Sequence, residues 1–367
     1  MRRDYSDELN PEVREKMKKN LVYIAIFSVV MIFAGFTSAY IVSMGDTFWV
    51  KYPLPTGFWV STTFIIISSI FYHFACKKAQ KQEVTTARLL MLLTLIFGIG
   101  FSFFQFVGYK QLVKDGAAGV SPIFVVDGRY GDYFEIKYQG KTIDVNGNDY
   151  LLDGKKMSAS LYATLQTFVK PFETTANVEG YTIHALNPNF ELFYQNEKVN
   201  VQGGKLVTSK GLILQYTDMR RLQSLAWNIR DARGDFFHKG ELGKDFHVYY
   251  KGKELQYKNR ALMLGKRRLS PPLQLKANQT RDLSTSYLYI ITFLHLLHIF
   301  GTTIYLIKMV VKSLKAKAWS KIEDGEKQEK AQKAYEKYVL SLRLGAIFWH
   351  FLGILWLYLL IFLIYIH

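Results

Sequence analysis

Three histidines near the end of the chain stand inside runs of apolar residues. His295 and His298 lie within Thr292–Gly301, and His350 lies within Phe348–Tyr358. An imidazole that enters hydrocarbon loses its hydrogen bonds to water, so each ring needs a protein interior, a bound lipid or a cofactor as its partner. The histidines therefore predict helices that pack against something inside a membrane.

Two of these histidines could serve as the axial ligands of a haem. Axial ligands must face each other from different helices, whereas His295 and His298 are three residues apart and point to similar sides of one helix. His350 is the ligand that could face either of them. A Soret band that follows the isolated chain would identify such a cytochrome. A diiron site of the desaturase kind is disfavoured, because it needs more clustered histidines than the eight in this chain.

Five apolar segments are long enough to cross a membrane, for which about 20 residues are needed. They are Leu21–Met44, Gly57–Ala75, Leu89–Tyr109, Ser286–Val311 and Leu344–Ile366. None contains an acidic residue, and Lys308 is the only cation among them. The mean hydropathy of +0.02 conceals them because it averages over a charged insertion. The sequence predicts an all-α membrane bundle of five transmembrane helices with an inserted α+β soluble domain.

Basic residues beside the segments predict the orientation, because they stay on the cytoplasmic side. They cluster before the first segment, after the second and after the fourth: Arg2, Arg3, Arg14, Lys16, Lys18, Lys19; Lys77, Lys78, Lys81, Arg88; Lys308, Lys312, Lys315, Lys317, Lys321. The expected division is a cytoplasmic 1–20, helices one to three in 21–109, an external domain in 110–285, helix four in 286–311, a charged cytoplasmic helix in 312–343 and helix five in 344–367. The first segment is too long for a removable signal peptide.

The insertion lacks the residues of a catalytic centre. Its histidines, His184, His238 and His247, are scattered, and it has no thiol, phosphate-binding loop or nucleophile motif. The one cysteine of the chain, Cys76, cannot form an intrachain disulfide. The inserted domain must therefore be stabilised by its own core, and a catalytic role for it is disfavoured.

A twelve-residue pattern occurs three times in the insertion. It starts at Phe134, Phe190 and Phe246, which are 56 residues apart. Apolar and polar residues alternate in each copy, and a Gln-Gly, Gln-Asn or Lys-Gly pair interrupts the alternation, which is typical of a β-hairpin. Extended pieces follow at Tyr150–Leu152, Lys205–Thr208 and Ala261–Leu264, and helices are expected at Ala159–Lys170 and Asp218–Arg230. The spacing predicts three repeats of about 56 residues; chance similarity among turn-rich strands is the alternative.

The charged residues of the insertion and of the connection after the fourth segment indicate surfaces that face a partner, lipid or water. Basic hairpin turns beside aromatic strands suit a protein-docking surface, and packing between partner subunits fits equally well. The densest basic cluster, Lys266–Arg268, precedes Pro271 and Pro272 and could touch lipid headgroups. In 312–343 the pairs Glu323/Lys327, Glu326/Lys330 and Glu329/Lys333 favour an exposed helix.

The five membrane segments resemble, in order, those of the five-span form of subunit III of the haem–copper respiratory oxidases, the cytochrome c oxidase subunit III family. The matching positions are Ser28–Gly35 with Ala39 and Tyr40; Phe58–Thr62, Ser68, Ser69, His73 and Ala75; Gln105–Tyr109; Thr292, His295, His298 and Gly301; and Trp349, His350, Phe351, Leu355 and Trp356. The resemblance covers the membrane part and none of the insertion. The chain departs from it at Val29, Gly108 and Gly353, where the family carries carboxylates, so the roles of those acids do not transfer.

The resemblance implies a non-catalytic accessory subunit in a bacterial inner membrane. Haem and copper would belong to the partner subunits I and II, where subunit I reduces O2 and pumps protons, and this chain would hold phospholipid. It implies no nucleic acid partner, and it does not reveal whether the electron donor is cytochrome c or quinol. The residues expected at a lipid cleft or in subunit packing are Trp59, His73, His295, His298, Lys308, Trp349, His350 and Trp356. We expect the insertion to dock a quinol-oxidising complex or a cytochrome c domain.

A membrane-anchored receptor or transporter is the alternative class, with an external domain that binds a ligand or partner. Transporters usually keep polar or broken helices at the bilayer midplane. Apart from Gln105 and Lys308, near the ends of their segments, the polar groups of these segments are only histidines and hydroxyl groups. A receptor would be made alone, whereas an oxidase subunit would be found beside its catalytic subunits.

Overall fold

The computed structural model describes residues 11–117, 119–126, 128–174, 182–183, 186–315 and 325–366. The chain divides into two compact units. The membrane unit comprises Met1–Val42, Leu54–Val113 and Tyr287–His367, and the inserted unit comprises Ser43–Pro53 and Lys114–Ser286.

The elements follow one another as α1 (Pro11–Met44), β1 (Phe48–Lys51), α2 (Thr56–Gln80), α3 (Val84–Lys114), β2 (Phe134–Tyr138), β3 (Lys141–Asn146), β4 (Asp149–Leu152), β5 (Lys155–Lys156), α4 (Ala159–Val169), β6 (Phe190–Tyr194), β7 (Glu197–Gln202), β8 (Lys205–Thr208), α5 (Tyr216–Arg230), β9 (His247–Tyr250), β10 (Lys253–Lys258), β11 (Ala261–Leu264), β12 (Arg267–Arg268), α6 (Pro271–Gln279), α7 (Leu283–Lys315) and α8 (Gly325–Tyr365). A short 3-10 helix, Lys170–Glu173, follows α4.

Five helices, α1, α2, α3, α7 and α8, are long and apolar enough to cross a membrane, as predicted. The charged segment predicted over 312–343 is helical up to Lys315 and again from Gly325, and α8 continues it without a break into the fifth apolar segment, up to Tyr365. Ion pairs one turn apart, Glu326–Lys330 and Glu329–Lys333, support the start of α8. No glycine or proline interrupts 326–344, so the helix has no reason to stop before the apolar segment. Residues 316–324, which include Glu323, lie outside the described residues.

The first sheet of the inserted unit has seven antiparallel strands in the order β5-β4-β3-β2-β6-β7-β8. Its centre is the pair β2 and β6, where Phe134 lies opposite Tyr194 and Ile136 opposite Leu192. Alternate residues of these strands are buried, and α4 and α5 contribute the rest of the core. The core includes Phe134, Ile136, Ile143, Leu165, Phe168, Phe172, Leu192, Val199, Leu222, Leu225 and Ile229. The sheet therefore has one face covered by helices.

The second sheet has five antiparallel strands in the order β1-β9-β10-β11-β12. Its edge strand, β1, comes from the loop between α1 and α2, and Phe48 pairs with Tyr250. Phe48, Trp49 and Val50 are all buried. The inserted domain predicted over 110–285 is therefore incomplete, since it also includes a strand from the first loop of the chain.

Strands related to the three predicted copies begin at equal intervals. β3, β7 and β10 start at Lys141, Glu197 and Lys253, which are 56 residues apart, and β4, β8 and β11 keep the same interval. Both central residues of each first turn have left-handed backbone angles, as a two-residue hairpin requires: Gln139 and Gly140, Gln195 and Asn196, and Lys251 and Gly252. The predicted hairpins are confirmed by their pairing.

The helices of the inserted unit agree with two expectations and add a third element. α4 and α5 cover the predicted segments within two residues. α6 begins at Pro271, where the sequence suggested only an approach to the membrane. Proline is tolerated in the first turn of a helix because the amide hydrogens there lack intrahelical acceptors.

Candidate functional site

One cluster of aromatic rings joins all five long helices. Phe33 of α1, Phe58 of α2, Phe101 of α3, His295 of α7 and Trp356 of α8 are fully or almost fully buried. The His295 and Trp356 ring centroids are 5.3 Å apart, and Phe101 lies 5.8 Å from the first and 5.5 Å from the second. Phe58 lies 5.6 Å from Trp356, and Phe33 lies 6.4 Å from His295. We name these five residues the His295–Trp356 cluster.

Two polar atoms of this cluster, Nε2 of His295 and Nε1 of Trp356, form contacts between helices. Nε2 of His295 lies 3.0 Å from the carbonyl oxygen of Leu352, which can only accept, so Nε2 carries the proton. Nε1 of Trp356 donates to the hydroxyl of Thr62 at 2.8 Å, and that hydroxyl donates to the carbonyl of Phe58. These bonds compensate part of the cost of placing imidazole and indole in an apolar interior, while Nδ1 of His295 is buried without a hydrogen-bond partner among the described residues. The cluster is therefore built for packing.

Trp349 fixes the approach of α8 to α3. Its side chain is fully buried, and a Cβ placed on Gly98 would lie 2.7 Å from its ring. Tyr72 of α2 lies beside it, with ring centroids 6.5 Å apart. Trp349 thus belongs to the interior of the helix bundle, and glycine at position 98 makes room for it.

A groove between α2 and α8, groove B, contains the second pair of histidines. Nδ1 of His350 is hydrogen-bonded to the hydroxyl of Ser69 at 2.5 Å, and the His73 and His350 ring centroids are 6.2 Å apart. The groove has a volume of about 610 Å³, and its other walls are apolar apart from Gly353. A Cβ on Gly353 would lie 3.7 Å from Ile65, an ordinary contact. A side chain at position 353 would therefore fit.

A larger groove, groove A, lies between α1, α7 and α8. It has a volume of about 740 Å³ and is lined by Lys18, Leu21, Val22, Ala25, Leu297, His298, Gly301, Thr302, Tyr305, Leu344, Gly345 and Phe348. His298 is half-buried, and its Nδ1 lies 2.8 Å from the carbonyl oxygen of Leu294. The groove thus combines one cation, the two hydroxyl groups of Thr302 and Tyr305, and a long apolar wall.

The residues expected at the lipid cleft do not share one groove. His298 lines groove A and His73 lines groove B, whereas Trp59 and Lys308 are exposed and line neither. The sequence missed Lys18 as a wall of groove A and Ser69 as the partner of His350. Neither could be found without knowing which helices are neighbours.

The inserted unit contains a buried polar triad, Tyr52, His238 and Asp282. The Tyr52 hydroxyl is hydrogen-bonded to Nδ1 of His238, and Nε2 of the same ring lies 3.8 Å from Asp282. Burial lowers the pKa of His238 to about 4 and raises the pKa of Asp282 to about 6. Asp282 precedes α7 and accepts a hydrogen bond from the amide of Thr285 at 3.0 Å. The triad therefore connects the first loop, the segment after α5 and the start of α7.

A second buried carboxylate, Asp235, lies between two arginines. Its Oδ1 is 2.9 Å from Arg260 and 3.3 Å from Arg129, and its Oδ2 accepts from the amide of Gly147 at 3.1 Å. These contacts compensate a charge that is otherwise costly to bury. Asp235 and its two arginines therefore form an ion-pair network of the kind that stabilises a fold.

A polar pocket of about 650 Å³ opens beside the first hairpins of the inserted unit. Its wall includes Asn148, Tyr150, Lys156, Glu241 and Lys244. Within the described residues, no group of three or more His, Cys, Asp or Glu side chains could hold a metal ion. The pocket thus offers hydrogen bonds and charges of both signs to a small polar ligand.

No family model, curated protein or solved structure matches the chain.

Proposed function

We propose that the chain is a non-catalytic accessory subunit, of the subunit III kind, in a proton-pumping haem–copper terminal oxidase. The observation that carries this proposal is the His295–Trp356 cluster. Phe58, His295 and Trp356 come from three of the five motifs that carry the resemblance, and their rings contact one another. Residues that join helices suit a scaffold that flanks a catalytic subunit. The missing carboxylates at Val29, Gly108 and Gly353 leave such a role intact.

The partners follow from this role. Subunits I and II would hold the haem and copper, and this chain would support subunit I within a bacterial inner membrane. The proposed orientation has a cytoplasmic N-terminus and a periplasmic C-terminus and inserted unit, which the basic residues beside the helices favour.

Groove A is the proposed phospholipid site of the subunit. Lys18 can meet a phosphate, because a long basic side chain extends its charged end toward the headgroup region. The apolar wall from Leu21 to Ala25 and the opposite Leu297 suit acyl chains. Lys18→Glu should therefore lower the phospholipid that co-purifies with the chain, and an unchanged lipid content would count against this site.

The inserted unit is proposed to be a triplicated hairpin-and-helix module that docks a neighbouring respiratory complex. The equal 56-residue intervals between corresponding strands and turns support the triplication. We call the modules 1, 2 and 3, which begin at β2, β6 and β9. A quinol-oxidising complex or a cytochrome c domain would be its partner.

The experiment that tests the oxidase proposal is purification of the tagged chain from native membranes in a mild detergent. We expect haem spectra and cyanide-sensitive O2 consumption to co-purify with it. A colourless chain, under conditions that keep other respiratory complexes intact, would reject the proposal.

A membrane-anchored receptor is the second candidate, and the polar pocket at Asn148 and Lys156 favours it. Such a protein would purify without haem and would bind a small polar ligand in that pocket. Lys156→Ala would then abolish ligand binding, whereas an oxidase subunit would keep its partners after the same substitution.

A further inference from the structure

The turns at one end of the sheets in the inserted unit differ in their charge pairs. In module 1, Lys141 at the start of β3 forms an ion pair of 2.5 Å with Asp153, in the turn after β4. In module 2, Glu197 at the start of β7 forms an ion pair with Lys210, in the turn after β8 and one position later in its module than Asp153 is in module 1. Both modules therefore compensate the charge at the start of their second strand with an opposite charge in the turn after their third strand.

Module 3 places like charges there. The residue that corresponds to Lys141 and Glu197 is Lys253, and the residue that corresponds to Lys210 is Lys266. Lys253 begins β10, and Lys266 lies in the turn after β11, the strand that pairs with β10, so both lysines are at the same end of the sheet. Like charges gathered at one end of neighbouring strands repel each other.

Further cations surround this pair. Lys251, Arg267 and Arg268 are exposed, as are Lys253 and Lys266. We name these five residues the basic tip of the second sheet. None of them forms an ion pair with any residue that the structure describes, while the one carboxylate of this sheet, Glu254, binds His247 at 2.6 Å. Modules 1 and 2 compensate the charge at this end of their sheet with an opposite charge, and module 3 does not. Such a departure from a local rule is expected where a surface has a binding role.

The composition of the surroundings favours a protein over a lipid surface as the partner. No residue between His247 and Arg268 is an exposed large apolar side chain, and such side chains are what anchor a domain in the lipid interface. Tyr249 and Tyr250 are half-buried on the neighbouring strand. Tyrosine and arginine are the residues in which protein interfaces are enriched.

We propose that the basic tip binds a carboxylate-rich surface of a partner protein. The assignment rests on the docking role proposed for the inserted unit, and it names the chemistry of that docking. Opposite charges would speed the encounter and fix the orientation of the partner. The cations of the tip then have their counterions in the partner instead of in their own sheet.

Zero-length carbodiimide coupling of native membranes tests the assignment, because it joins an amine to a carboxylate only where the two are in contact. We expect mass spectrometry to find Lys251, Lys253 or Lys266 coupled to an aspartate or glutamate of another protein. Coupling of Lys141 to Asp153 is the internal control, since these groups already touch. If the internal pair couples and the tip lysines join no other protein, the proposal is wrong.

The decisive variant is Lys253→Glu, which gives module 3 the charge pair of module 2 and does not threaten its fold. We expect it to lower the yield of coupling to the partner about fivefold or more. Lys205→Glu makes the same change of charge at an exposed lysine of the other sheet and should leave the yield unchanged. Equal yields in the two variants would overturn the proposal.

A second measurement distinguishes a lipid surface from a protein as the partner of the basic tip. The full chain in phosphatidylcholine nanodiscs is mixed with vesicles that contain about one third phosphatidylglycerol. Binding that Lys253→Glu abolishes would assign the tip to anionic lipid and reject the protein partner. Failure of the oxidase proposal is recognised independently, because absent haem in the purified chain says nothing about coupling at the tip.

Discussion

Glycine has opposite roles at two positions in the membrane unit. A Cβ on Gly57 would lie 2.5 Å from the backbone nitrogen of Gly108 and 2.7 Å from the carbonyl oxygen of Phe104. Backbone atoms of a packed helix cannot move away as a flexible side chain can, so α2 and α3 approach closely only because position 57 lacks a side chain. A Cβ on Gly353 would meet only Ile65 and Ser69, at 3.7 and 3.9 Å. Position 353 therefore tolerates a side chain.

Gly57→Ala should lower the free energy of unfolding by about 2 kcal/mol or more, because the added methyl group forces α2 away from α3. Gly353→Ala is the matched control and should change it by less than about 0.5 kcal/mol. Tryptophan fluorescence during thermal unfolding in detergent measures both. Equal losses in the two variants would contradict the close approach of α2 and α3.

The hydrogen bond between Trp356 and Thr62 offers a second prediction at this scale. Trp356→Phe removes the donor, and Thr62→Val removes the hydroxyl while keeping the size of the side chain. The two single variants and the double variant form a cycle in which we expect a coupling of about 1 kcal/mol, the net value of a buried hydrogen bond. Additive effects on the unfolding free energy would show that the bond contributes nothing to the cluster.

At the scale of elements, the start of α7 depends on a side chain from outside the helix. Asp282 accepts from the amide and the hydroxyl of Thr285, which satisfies the first turn. His238 lies against the same carboxylate, with Tyr52 on its other side, and the positive charge of Arg233 also lowers the pKa of His238. Two titrating groups with opposite shifts therefore share one buried site.

The two shifts predict opposite pH dependences for single variants. The pKa of His238 falls from 6.5 to about 4, so the folded state binds fewer protons than the unfolded state between these values, and stability rises with pH. The pKa of Asp282 rises from 3.8 to about 6, so stability falls with pH over that range. Asp282→Asn keeps the cap and the histidine, and its unfolding free energy should rise from pH 4 to 6.5. His238→Gln should show a decrease from pH 4 to 6.

Denaturant unfolding of the full chain across this pH range measures both slopes. The unsubstituted chain should show a weak dependence, because the two contributions oppose each other. Slopes of the same sign in the two variants would rule out the assigned shifts. Tyr52→Phe is a useful control, since it removes the neighbouring hydroxyl without removing either titrating group.

Local patterns account for what the sequence predicts well. The hairpins of the inserted unit are confirmed because a turn such as Gln139-Gly140 and the alternation on either side are contained within about ten residues. α4 and α5 follow from amphipathic segments of similar length. The membrane helices follow from composition alone, since a segment without charges can only be satisfied in hydrocarbon or in a core.

Contacts between distant segments account for what the sequence missed. β1 contains only Phe48–Lys51, and nothing near it in the chain reveals that its partner is β9, about 200 residues away. Its alternation is too short to distinguish a strand from a loop. The grooves were missed for the same reason, because Lys18 and His298 become neighbours only through the packing of α1 against α7. Helix neighbours in a membrane depend on side-chain fit and not on hydropathy.

At the scale of the whole molecule, the chain passes between its two units four times, at 42–43, 53–54, 113–114 and 286–287. The inserted unit is thus not a single insertion, because the segment from Ser43 to Pro53 also belongs to it. β1 depends on β9 for its hydrogen bonds. Removing the large insertion therefore leaves behind a strand that has lost its partner.

The docking role of the inserted unit predicts the outcome of a deletion that takes β1 into account. Replacing Asp115–Thr280 by a short linker should by itself lower the yield, because Phe48, Trp49 and Val50 become exposed beside an unpaired strand edge. Changing these three residues to serine in the same variant removes the apolar edge. This second variant should purify with the haem spectrum of the oxidase and without the neighbouring complex, as native gels would record. A larger assembly that persists in the second variant would refute the docking role, while loss of haem in that variant alone would mean that the inserted unit also supports the oxidase itself.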